Sequence, residues 1–128
     1  MDFKSLSINQ LLNKLHDSIL SFAKGMDKII DINQKAASTE QINELITHLQ
    51  LRLKNDVERA DDQKIINLLE LLSKDQSILK LVKEDAAEWI STLNAIDEHT
   101  KRYANNYSEE NIARIQELSD HIKVLARK

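Results

Sequence analysis

Four histidines, His16, His48, His99 and His121, and 21 acidic residues are the side chains from which a metal site or an acid–base pair would be built in this chain. A carboxylate-bridged metal bundle needs Glu three residues before His, so that both ligands leave one helix face. The residues three before these histidines are Asn13, Leu45, Ile96 and Leu118, and none is a carboxylate. No two histidines stand three or four apart, which removes the zinc-type pair on a single helix. Glu44/His48 and Glu117/His121 are four apart, a spacing that on an exposed helix makes a weak surface contact. The expectation is no metal and no other cofactor.

Other chemistry finds little material. There is no cysteine, hence no thiolate ligand, thiol nucleophile or disulfide framework, as fits a reducing compartment. The single glycine, Gly25, cannot form a phosphate-cradling loop, which needs several backbone N–H groups to converge. Asp61/Asp62 and Glu109/Glu110 fall at expected helix starts, where the helix dipole favours negative charge. Asp97 and Glu98 each have a basic residue four positions on, Lys101 and Arg102, in the favourable orientation for helix pairs. Leu68–Leu72 fits an LxxLL docking pattern that leucine-rich core helices also match by chance, and Asn106-Tyr107-Ser108 fits a glycosylation acceptor. No enzyme activity is expected.

The elements that position these residues are helices. Proline is absent and glycine occurs once in 128 residues, so the turn residues of strand architectures are missing. Apolar residues at 41% beside 30% charged residues are ordinary for a globular chain, and the length suits one domain over residues 1–128. Ile8, Leu12, Leu15, Ile19, Phe22, Met26 and Ile29 alternate steps of four and three, the narrow stripe of a bundle helix. Ser7 precedes it as N-cap. Ser38-Thr39-Glu40-Gln41 reads as a capping box opening a second helix, with Ile42, Leu45, Ile46, Leu49, Leu53 and Val57 inward and an end near Arg59 and Ala60.

Asp61 or Asp62 then caps a third helix, Ile65–Leu72, apolar over most of its circumference. The phase is lost at Ser73–Ser77, where Gln76 occupies the next core position. A new cap at Asp75 or Ser77 is expected, with a single helix bent by a phase slip as the alternative. The stripe resumes at Leu79, Val82, Ala86, Trp89, Leu93, Ile96 and Tyr103. Ser108, followed by two glutamates, starts the last helix, with Ile112, Ile115, Leu118, Ile122 and Leu125 inward and Lys123, Arg127 and Lys128 toward its C-terminal dipole. The fold class is therefore all-α, an antiparallel bundle of four to five amphipathic helices.

Function is narrowed by partner class. A net charge of −3 with scattered lysines and arginines lacks the basic face of a nucleic-acid binder. No run of about 18 apolar residues offers a membrane span, and the N-terminus lacks the apolar run of a signal peptide, so a cytoplasmic protein is expected, with delivery into another cell an open alternative. The richness in Ile, Asn and Lys suggests an AT-rich, bacterial-type genome. What remains is docking to another protein. Leu51 lies opposite the stripe of Leu49 and Leu53, Leu71 opposite Leu69, and Leu20, Ile32 and Val124 also fall off their stripes. Such residues, if grouped, form a partner surface or a homodimer seam. Glu84, Asp85 and Glu88 add an acidic group with Lys80 alone well placed to compensate. The expected function is a non-enzymatic protein-binding module, an inhibitor, adaptor or regulator, of the kind found among bacterial effectors and their regulators. Leu51, Leu71, Leu20, Glu84, Asp85 and Glu88 are the candidate contact residues. A secretion chaperone is the alternative, and a cryptic enzyme or metal-binding bundle the reading from another class.

Overall fold

The computed structural model describes residues 5–25, 32–55 and 58–128, with the side chains of 25 and 32–37 left aside. Among them are six α-helices: α1 (Ile8–Gly25), α2 (Ile32–Asn55), α3 (Asp62–Lys74), α4 (Gln76–Glu84), α5 (Ala86–Arg102) and α6 (Glu109–Arg127). The fold is an all-α helical bundle, and the described residues contain no strand. The apolar stripes built it. Ile8, Leu12, Leu15, Ile19 and Phe22 of α1, Ile42, Leu45, Ile46, Leu49 and Leu53 of α2, and Ile65, Leu69 and Leu72 of α3 are all buried in one core. Trp89, Leu93 and Ile96 of α5 and Ile115, Leu118 and Ile122 of α6 complete it. Met26, Ile29 and Val57 lie outside the described residues.

Local signals start the helices. Asp61 accepts the Gln63 amide at 2.9 Å, Asp75 the Ser77 amide at 2.7 Å and Ser108 the Asn111 amide at 3.1 Å. Each satisfies one first-turn N–H that has no partner within its helix. The reciprocal capping box is at the start of α1, where Ser7 Oγ accepts the Gln10 amide at 3.1 Å and Gln10 Oε1 accepts the Ser7 amide at 2.8 Å. The expected box at Ser38–Gln41 does not open a helix. α2 begins at Ile32 and runs through these residues, because Ala36 and Ala37, where the apolar stripe fades, are the strongest helix formers. α2 is described to Asn55, residues 56–57 lie outside the description, and residues 58–61 are not helical, as the end expected near Arg59 and Ala60 requires.

The sixth helix comes from a second interruption. Residues 76–102 do not form one rod: the backbone leaves the helical region at Asp85 (φ −137°, ψ 50°). α4 therefore buries Ile78, Leu81 and Val82 as its own inward face, leaving Leu79 and Ala86 only half-buried. A stripe extended backwards from α5 put Leu79 inside because it carried the phase across this break.

α1 packs on α2 and α3, α2 on α5, α5 on α6, and α6 on α3, closing a ring of five helices. Helices joined by a short connection run antiparallel. The Ile8 amide at the start of α1 donates to Glu58 just beyond α2, and Asp97 of α5 meets Ser119 and Lys123 of α6, on either side of the α5–α6 turn. The starts of α1, α3 and α6 lie together, tied by Asp61 N–H to Asn9, Lys64 to Asn13 and Asn111 to Asp62. α4 touches α1, α3, α5 and α6, spanning the opposite end, where α3 finishes and α5 begins.

Candidate docking surface

The six candidate contact residues are distributed over two edges of the ring. On the α1–α3 edge, Leu20 is half-buried and Leu71 is half-buried with its side chain packed against the core. Their separation of 51 positions equals that of Asn13 and Lys64, whose side chains meet at 3.2 Å. Since α1 and α3 run in the same sense from that contact, Leu20 and Leu71 stand at one level. A recess of about 180 Å³ opens beside Leu71, lined also by His16, Asn67, Glu70 and Lys74, and Leu20 does not line it. Glu70 is not a free charge at its rim, for Lys74 and Arg114 both reach it at 3.7 Å.

On the α2–α5 edge, Leu51 is 53% exposed, matched among large apolar side chains only by Val124 at 51% on α6 among the described residues. The neighbour of Leu51, Gln50, points inward. Its amide nitrogen donates to the Glu88 carbonyl at 3.2 Å, the Glu88 carboxylate at 3.3 Å and the Thr92 hydroxyl at 2.8 Å, while its oxygen accepts from Ser91 at 3.2 Å. Gln50 thus fastens α2 to the first turns of α5, and Leu51 projects outward from the same turn of α2. Glu84 and Glu88 are exposed and Asp85 half-buried at the α4–α5 break. Burial, and then the negative charge of Glu88, raise the Asp85 carboxyl above its ordinary value.

The structure does not merge these groups. α1 and α2 separate the Leu20–Leu71 edge from the Leu51–Glu88 edge in the ring order. Leu71 is less available than its position opposite Leu69 implied, because α3 meets α1, α4 and α6 and retains little free circumference. Ile32 lies in α2 with its side chain outside the description, and Val124 stands on α6 away from both edges.

Sequence reasoning missed a third feature. Between α5 and α6 lies a half-open groove of about 430 Å³, walled by Asp97, Glu98, Lys101, Gln116, Asp120 and Lys123 among others. Asp97 was expected to pair with Lys101. It instead accepts from Lys123 Nζ at 2.6 Å and from Ser119 Oγ at 3.2 Å, and Lys123 serves this pair rather than its own helix terminus. No local spacing announces a contact 26 positions apart. Among the described residues no group of three or more His, Asp or Glu side chains is arranged to hold a metal ion, and no helix is long and apolar enough to cross a membrane. Compared with protein-family models, with curated proteins and with solved structures, the chain matches none.

Proposed function

We propose that this protein is a non-enzymatic docking module, an inhibitor, adaptor or regulator that binds another protein through the α2–α5 edge. The observation that carries this reading is the position of Leu51. It is a large apolar side chain, more than half exposed, on the turn of α2 whose preceding residue, Gln50, is hydrogen-bonded to acidic Glu88. A rigid apolar anchor with charge at its rim is the arrangement by which interfaces gain affinity from the anchor and approach rate from the charge. Glu84 and Glu88 set the sign, so the complementary surface is apolar at its centre and basic around it. The absence of strand among the described residues gives no support to the α/β form of the secretion-chaperone alternative.

The test is capture of partners from a lysate of the source cell by the tagged chain, run in parallel with Leu51→Asp and Val124→Asp. Val124 is equally exposed but lies on α6. A partner retained by Val124→Asp and weakened at least about tenfold by Leu51→Asp supports the reading, since a central anchor contributes more than about 1 kcal/mol. A partner held equally by both variants would remove Leu51 from the interface. Sedimentation of the purified chain over a range of concentrations distinguishes a foreign partner from a second copy.

A further inference from the structure

At the end of the ring where α1, α3 and α6 begin, polar groups from several elements converge on the connector at residues 58–61. The Ala60 amide donates to His99 Nε2 at 3.0 Å, and the Tyr107 hydroxyl donates to the Ala60 carbonyl. The Arg59 guanidinium lies 5.5 Å from the Tyr107 ring centre. Glu58 accepts the Ile8 amide at 2.8 Å, and the Asp61 amide donates to Asn9 Oδ1 at 2.7 Å while the Asp61 carboxylate caps α3. Both His99 and Ala60 have 0% exposure. The connector is therefore a shared fitting: its own backbone is held by His99 and Tyr107, and it in turn caps the first turns of α1 and α3.

This geometry fixes where the imidazole carries its hydrogen. A neutral imidazole has one donor and one acceptor nitrogen, whereas imidazolium has two donors. With the Ala60 amide on Nε2, the ring hydrogen sits on Nδ1. A second proton would set N–H against N–H in a site with no solvent exposure, where a lost hydrogen bond to a backbone amide is costly.

We propose that His99 is an acid-sensitive latch: proton uptake at Nε2 breaks the bond to Ala60 and releases the connector together with the caps it supplies to α1 and α3. Among the described residues, the titratable and charged groups around this junction come from every element that meets there. α5 contributes Tyr103, whose ring centre is 4.7 Å from that of His99, and Arg102, which donates to the Leu53 carbonyl. α2 and the connector contribute the Arg52–Glu58 pair and Arg59, α3 and its cap contribute Asp62 and Asp61, and the α5–α6 turn contributes Tyr107. α1 adds the uncharged Asn9. The carboxylates favour a nearby positive charge and the arginines oppose it. The direction of the Ala60 hydrogen bond is independent of that balance and penalises the proton in either case. The unfolded chain takes up this proton near the ordinary imidazole value of about 6.5. The folded chain must give up a bond to do so, and the latch's contribution is full above that value and lost as the pH falls below it.

The test is amide exchange measured by NMR on the whole chain between neutral pH and about pH 5, the interval in which histidine changes charge. After correction for intrinsic rates, protection at Ala60 and Asp61 is expected to fall at least about tenfold while Ile115 and Leu118 of α6 stay protected, which separates local release from general acid unfolding. His99→Gln keeps an acceptor for the amide but does not titrate, and is expected to remove this pH dependence. The proposal is overturned if the wild-type protection at Ala60 is unchanged while the ring nitrogen shifts show His99 protonating, or if the fall persists in His99→Gln. Should His99→Gln not fold, the wild-type ring shifts and amide protection decide by themselves.

Discussion

Lys123 Nζ lies 2.6 Å from the carboxylate of Asp97, joining α6 to α5 across the wall of the groove between them. The side chains are 13% and 22% exposed, so the pair is largely withdrawn from water, and Ser119 Oγ completes the carboxylate's contacts. A pair in this position holds two helices in register. Removing one partner strands the other in a poorly solvated place, which costs more than the pair itself contributes.

Lys123→Ala and Asp97→Asn are each expected to lower stability by about 1–3 kcal/mol, less than for a fully buried pair because both groups retain some water. The double variant is expected to lose less than the sum. Urea unfolding of the four proteins measures the coupling directly. Additive losses would show that the short contact carries no energy of its own.

The N-cap expected at Ser7 and the capping box expected at Ser38 differ in outcome, and mutation distinguishes them. Ser7→Ala removes a bond to a first-turn amide and is expected to cost about 1 kcal/mol. Ser38→Ala lies inside α2 on an exposed position and is expected to be neutral or stabilising by a few tenths of a kcal/mol, since Ala is the better helix former. Thermal unfolding of both variants checks this. Equal losses would place a helix start at Ser38.

Tyr107 offers a titration. Burial, first among its influences, pushes its phenol up to about 12, with Arg59 pulling the other way and Asp62 adding to the rise. A raised phenol favours the neutral form in the folded state, so its contribution to stability is complete below the unfolded value of about 10 and is lost as pH climbs toward the folded one. Alkaline titration of tyrosinate absorbance is expected to show one late-ionising tyrosine that Tyr107→Phe removes. The same variant leaves the Ala60 carbonyl without its phenol donor and is expected to destabilise the chain by about 1–2 kcal/mol at neutral pH. Unchanged stability would mean that water replaces the phenol there.

The sequence by itself determined that this chain is a helical bundle and which faces of α1, α2, α3, α5 and α6 turn inward. That information is local: a stripe such as Ile8, Leu12, Leu15 and Ile19 repeats at the helical period wherever the helix is later placed. Caps at Ser7, Asp61, Asp75 and Ser108 were legible for the same reason, since each acts on an amide two or three residues away. The candidate Leu51 was legible too, because its exposure follows from standing opposite Leu49 and Leu53 on one helix.

The tertiary structure alone decided the rest. The break at Asp85 has no glycine, proline or side-chain cap to announce it; it follows from α4 burying Ile78, Leu81 and Val82 across one end of the ring while α5 turns along α2. Which off-stripe leucines remain exposed depended on neighbours, so Leu51 stayed open and Leu71 packed inward against the core. The contacts of Gln50 with Glu88, Asp97 with Lys123 and His99 with Ala60 join residues 38, 26 and 39 positions apart. A hydrogen bond or ion pair across such distances depends on where two helices meet, and the period of a single helix carries no record of that.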